Sequence, residues 1–134
     1  MSTLNEHIQS SRRTGAIEFI IEERSADCVT SRMPVQEGIL NPFGVVQAGA
    51  LLWLADVTAS VLVLEAQPAD DRGEGFPLAI DLHTCLFGNQ RDGAIRAEAR
   101  FVRQGRRVSV VRTRILGKDS KLLAEVTSTH VPAR

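Results

Sequence analysis

The sequence is poor in the features that announce chemistry directly. Two cysteines, Cys28 and Cys85, stand in 134 residues, too few for a disulfide scaffold and without metal-site spacing. Reduced, unreactive thiols are the expectation. The three histidines, His7, His83 and His130, are dispersed and match no metal-ligating pattern, so no metal is expected. No GxSxG elbow, P-loop or GxGxxG occurs, which removes the usual serine-hydrolase and nucleotide-binding motifs. Net charge is missing as well. Sixteen basic residues balance sixteen acidic ones, which argues against a generally basic nucleic-acid binder and against an acidic tail. The first residues lack a basic leader followed by an apolar stretch, so a cytoplasmic chain without signal peptide is the expectation. There is no internal repeat, low-complexity tract or linker, and residues 1–134 are expected to form a single domain.

What the chain does have is an ordinary globular balance, with 43% hydrophobic and 24% charged residues. Its longest apolar run, residues 45–64, reads VVQAGALLWLADVTASVLVL and has the length of a membrane span. Asp56 sits near its middle, however, and no basic cluster flanks it. A carboxylate at a bilayer centre is costly, so a buried helix of a protein outside the membrane is the better reading. The neutral total also hides an asymmetry. Residues 1–90 carry 5 basic and 12 acidic side chains, whereas residues 91–121 carry 10 basic and 3 acidic. Of the 16 basic residues 14 are arginine, the side chain best suited to bidentate recognition of phosphate and carboxylate.

Hydrophobic periodicity and turn residues predict the elements. Residues 3–13 pattern as a short amphipathic helix with Leu4 and Ile8 on one face, giving an N-terminal helix within 1–14. Strands are predicted at 16–24 and 27–35, then a Gly-, Pro- and Asn-rich loop, then the long helix over about 46–65. Four further strands, 77–87, 94–103, 107–117 and 121–131, are expected to follow one another as hairpins. One hydrophobic helix with a run of antiparallel strands defines an α+β protein. Such a sheet covers a helix that is apolar nearly all round on one side only, so a dimer or larger assembly is expected.

Two places in the long helix stand out. Asp56 is the only ionisable residue between Gln47 and Leu64. Burying an unpaired carboxylate is expensive, which marks a functional candidate; a capping or arginine-paired aspartate is the bland alternative. Ser60 follows it by four residues on the same face and could hold a water with it, or simply bond back to the helix carbonyl. At the helix start, Gln47, Ala48, Gly49 and Ala50 leave the first turn open, where free N–H groups favour an oxyanion or phosphate. Close packing is the alternative there. Asn41 is either a turn former or an amide that orients water. Gln47 and Asp56 lie nine residues apart, about 900° around the helix, and so face opposite sides. A ligand that uses both must draw them from two protomers.

The segment from Asn41 to Asp56, NPFGVVQAGALLWLAD, resembles the hotdog-fold acyl-CoA thioesterases of the phenylacetate-pathway and 4-hydroxybenzoyl-CoA type. Their pattern is an Asn or Gln, a loop Gly, a His-Gly-Gly helix start and a helical Asp or Glu. The likeness extends over roughly residues 15–131. It implies a long central helix wrapped by an antiparallel sheet of five to six strands, with protomers paired into dimers or tetramers through a continuous sheet. It also implies hydrolysis of an acyl-CoA to free acid and CoA. Asp56 matches the carboxylate that serves as base or nucleophile, and Asn41 the amide that positions water. Ala48 or Gly49 matches the main-chain N–H that holds the thioester oxygen from the other protomer. Ser60 falls where a helical Ser or Thr accompanies the carboxylate. Two departures are visible: Gln47-Ala48 replaces His-Gly, and Ala79 stands where some members carry a strand hydroxyl.

The resemblance requires no cofactor beyond the CoA of the substrate, and no nucleic acid or membrane partner. Arg103, Arg106 and Arg107, around the Gly105 turn, are the candidates for the CoA phosphates. Trp53, Leu54, Val57 and Phe87 are candidates for an acyl pocket, with plain core as their ordinary reading. A hotdog protein that binds acyl-CoA without hydrolysing it is the alternative function. A hydratase ranks last, because its catalytic histidine has no equivalent.

Overall fold

The computed structural model describes residues 3–9 and 14–134. The chain runs α1 (Leu4–Gln9), β1 (Ile20–Arg24), β2 (Cys28–Pro34), a 3-10 turn at Glu37–Ile39, α2 (Ala48–Ala66), β3 (Pro77–Leu86), β4 (Ala94–Arg103), β5 (Ser109–Leu116) and β6 (Leu122–Pro132). All six strands form one antiparallel sheet in the order β1-β2-β4-β5-β6-β3. Strict alternation of burial explains why these segments are strands. Val29, Ser31 and Met33 on β2 and Ser109, Val111, Thr113 and Ile115 on β5 point to one face, while Arg112 and Arg114 point to the other.

The long helix lies across the inward face. Its buried positions, Ala50, Leu51, Leu54, Ala55, Thr58, Ala59, Leu62 and Val63, recur in pairs every four residues and form one stripe. Leu54, Ala59 and Leu62 are wholly buried. Thr58 is accommodated there because its hydroxyl donates to the Leu54 carbonyl at 2.6 Å and contacts Ser31 Oγ at 2.6 Å. With its single hydrogen already committed, Thr58 must accept from Ser31, so both buried hydroxyls are satisfied. By length and hydropathy α2 could cross a membrane. Here its buried stripe packs on the sheet, and its other side stays half-buried.

Three sequence expectations are corrected. The first strand begins at Ile20 rather than 16, and the long helix at Ala48 rather than 46. Val46 instead bridges Leu40, and Gln47 caps the helix with extended φ/ψ of −67° and 143°. Of the predicted helix over 3–13, Leu4–Gln9 is helical; residues 10–13 and the Ile8 side chain lie outside what is described. The largest difference is β3, which pairs with β6 and not with β4. The Gly- and Asn-rich residues 87–93 read as a hairpin turn but carry the chain past the ends of β6 and β5. They are held there by Phe87 N–H and Gly88 N–H on the Leu123 carbonyl and by the buried Gln90 amide. Gln90 donates to the Asp92 and Ala94 carbonyls and accepts from Lys118 N–H. Seven residues reach about 23 Å when extended, ample for crossing three strand spacings of ~4.8 Å.

Candidate active site

The loop before α2 folds on its own asparagine. Asn41 Oδ1 accepts from the N–H groups of Phe43 (2.9 Å) and Val45 (3.2 Å), and its backbone closes on Val45 and Gly44. This is the turn-former role, and it leaves the two Nδ2 hydrogens available. Gln47 turns back in the same way, donating from Nε2 to the Leu40 carbonyl at 3.1 Å. Its own carbonyl accepts from both Ala50 and Leu51 N–H. The N–H groups of Ala48 and Gly49 are therefore the open ones of the first turn, and both residues are exposed. A Cβ built on Gly49 meets nothing within 4 Å, so packing inside this chain does not require the glycine.

Asp56 is half-buried, about two turns further along α2. Its Oδ1 is buried and has no hydrogen-bond partner. It opens, with Ser60, on a cleft of about 470 Å³ otherwise walled by apolar groups including Val57, Val61, Leu64, Phe76 and Leu78. No hydrogen bond ties Ser60 back to the helix, in contrast to Thr58 two residues earlier on the buried stripe. Ala79 contributes only a methyl to this cleft. Of the proposed acyl-pocket residues, Val57 lines it. Leu54 is core, Trp53 stacks edge-on to Phe19 with ring centroids 5.0 Å apart, and Phe87 is exposed, contrary to its core reading.

The arginine turn lies between β4 and β5. Gly105 is required there, because a Cβ would stand 2.4 Å from the Val108 carbonyl oxygen. Ser109 Oγ fastens the turn by donating to the Gly105 carbonyl. Arg103, Arg106 and Arg107 are exposed, make no ion pair among the described residues, and line one cleft around Gly105 and Val108. A separate narrow gap is lined by Pro77, Gly75, Arg106, Arg107 and His130, and Pro77 also borders the Asp56 cleft. Pro77 thus stands between the cleft that holds the carboxylate and the gap that holds Arg106 and Arg107.

His130 was not singled out by sequence reasoning. It is 1% exposed on the inward face of β6, with Nε2 at 2.8 Å from Ser128 Oγ and Nδ1 unpartnered. Burial pushes its pKa down, opposed by the negative charge of Asp56. The clue available in the sequence was alternation: Ala124, Val126, Ser128 and His130 share one face of β6. His83 is exposed, with only a long contact to Cys85 at 3.8 Å. Burial raises the pKa of Cys28, keeping it a thiol. Among the described residues no group of three His, Cys, Asp or Glu could hold a metal.

A single long helix laid on a six-stranded antiparallel sheet, with its carboxylate facing the β3 edge, is the hotdog fold. No protein-family profile and no curated protein sequence matches the chain. Solved structures do. A thioesterase of Haemophilus influenzae superposes with TM-score 0.77 at 22% identity, covering 87% of this chain and 78% of that one. A glutamine-to-alanine variant of a thioesterase from Pseudomonas aeruginosa gives 0.75 at 25% identity over 85% and 81%. A hypothetical thioesterase from Streptococcus pneumoniae, solved with coenzyme A, gives 0.76 at 19% identity over 87% and 86%.

Proposed function

We propose that this chain hydrolyses a CoA thioester, with Asp56 as the catalytic carboxylate. The observation that carries the reading is Asp56, which lines an otherwise largely apolar cleft and keeps one buried carboxylate oxygen without a partner. An acyl chain suits the cleft, and the CoA phosphates suit Arg103, Arg106 and Arg107. The coenzyme A held by the pneumococcal neighbour supports the same substrate class. Asp56 takes a proton from water as the water oxygen adds to the thioester carbon. The C–S bond then breaks, and the CoA sulfur receives that proton. Ser60 helps to hold the water. Direct attack by Asp56 through an anhydride gives the same products, and trapping of an acylated Asp56 with hydroxylamine during turnover separates the two routes.

The oxyanion needs donors, and the open N–H groups of Ala48 and Gly49 offer them, but they lie about 10 Å along α2 from Asp56 and point away from it. They must come from a second protomer. The edge strand β3 is built to bring one. It is ten residues long, pairs only with β6, and leaves Leu78, Ile80, Leu82 and Leu86 between 41% and 62% exposed. The other edge, β1, has five residues and is guarded by Glu22, Glu23 and Arg24. A two-fold pairing of β3 with its copy continues the sheet and turns a partner's helix toward the cleft. Membership of the phenylacetate or 4-hydroxybenzoyl-CoA type is the finer form of this reading, supported by the segment 41–56.

The test is release of CoA thiol from a panel of aryl- and fatty acyl-CoAs. Asp56→Ala is expected to lower kcat by about 10²- to 10⁴-fold, the usual worth of a positioned base. Equal rates for both proteins across the panel would overturn the assignment. Tight binding without turnover would support the alternative acyl-CoA binder. One observation favours that alternative: the Gln47 amide donates within its own loop, and Asn41 keeps only its Nδ2 hydrogens for a ligand.

A further inference from the structure

The inward face of the sheet beneath Asp56 carries a polar pair that hydrolysis as described does not use. His130 on β6 stands opposite Ala79 on β3 and opposite Ser109 on β5. Opposed residues of an antiparallel pair point to the same face, so the imidazole lies beside the methyl of Ala79 that borders the Asp56 cleft. Ser128, two residues earlier on that face, fixes the ring through Nε2 at 2.8 Å. What remains is one buried imidazole nitrogen, Nδ1, and one buried carboxylate oxygen, Asp56 Oδ1, neither with a partner in the chain. Unpaired polar atoms this deep are costly unless something satisfies them.

We propose that His130 is a positioning residue for Asp56: held by Ser128, it presents Nδ1–H toward the carboxylate and orients it, directly or through one bound water, for catalysis. This rests on Asp56 being the catalytic carboxylate. The proposal requires one tautomer. If Ser128 donates to Nε2, the neutral ring carries its hydrogen on Nδ1, the arrangement that complements an anion. Burial favours the neutral ring. Arg106 and Arg107 from the β4–β5 turn line a gap with His130, where Pro77, Gln67 and Ser109 add no charge, and the charge of Asp56 on α2 also acts on the ring. Burial opposes protonation of the ring and the charge of Asp56 favours it. His130 transfers no proton in the reaction; it fixes the group that does, as the orienting partners of catalytic and metal-binding side chains do.

Two measurements test this independently. Nitrogen-15 NMR of the histidine rings in the intact protein is expected to show His130 as the neutral Nδ1–H tautomer near pH 7. Asp56→Ala is expected to change that tautomer balance. An Nε2–H ring, or a ring indifferent to Asp56→Ala, overturns the proposal. In turnover, His130→Ala is expected to lower kcat about 10- to 100-fold with KM within about twofold, and His130→Gln, which restores an N–H donor, to recover part of it. An unchanged kcat in the folded His130→Ala protein also overturns it. Where His130→Ala fails to fold, the tautomer measurement on the wild type decides. If the wild type hydrolyses no thioester, the functional reading fails, and the tautomer still reports whether the pair exists.

Discussion

At the scale of single residues, two polar groups under one helix define the account. Asp56 is retained where an apolar side chain would pack, and its unpartnered oxygen has a use only if a ligand or water reaches it. His130 links that site to folding as well as to chemistry. Its pKa is lowered, chiefly by burial, so below the ordinary imidazole value near 6.5 the unfolded chain binds a proton that the folded chain refuses. Its contribution is therefore fully present above about pH 6.5 and is lost as pH falls toward the folded value. Denaturant titrations at pH 7.5 and 5.5 are expected to show a larger loss for wild type than for His130→Gln; equal losses would contradict this. Asp56 was legible in the sequence because a lone carboxylate interrupts an apolar run. His130 was not, because a histidine among strand residues looks the same inside or outside until its alternation with Ala124 and Val126 is used. Asn41 and Gln47 were legible as residues but not as hydrogen bonds. Which carbonyl each amide meets depends on how the loop closes.

At the scale of elements, the long helix and all six strands follow from periodicity, and their boundaries moved by at most a few residues. The pairing of β3 did not follow, since turn residues at 88–93 fit a hairpin as well as a crossing. Only the Gln90 anchor and the Leu123 carbonyl decide for the crossing. The true hairpin between β5 and β6 has its own signature. Asp119 and Ser120 both adopt positive φ, 56° and 58°, and Lys121 N–H closes on the Lys118 carbonyl, the pattern of a type I′ turn. That conformation costs an L-residue about 1–2 kcal/mol, so Ser120→Gly is expected to raise stability by about 1 kcal/mol, read as a higher denaturation midpoint. The edge strand makes a second prediction. Ile80→Lys places a charge in the middle of an apolar, unpaired edge and is expected to convert dimers to monomers in light scattering. A wild-type protein already monomeric at micromolar concentration would contradict the role given to β3.

At the scale of the molecule, the charge asymmetry acquires a place. The acidic first part of the sequence supplies the helix with its carboxylate, and the arginine-rich part supplies a turn whose arginines line a neighbouring gap across Pro77. The central claim is that each site is assembled from Asp56 of one protomer and the helix start of the other. Complementation tests it most directly. Gly49→Asp fills the space beside the open N–H groups without a clash inside the chain, and an acidic residue at a helix start does not weaken the helix. Gly49→Asp and Asp56→Ala homodimers are each expected to be inactive in thioester hydrolysis. When the two chains are co-expressed, half of the dimers are mixed, and each mixed dimer holds one intact site and one doubly altered site. Activity is expected to return to about one quarter of wild type. If the mixed population stays as inactive as its parents, the site is not shared between protomers and the account is wrong.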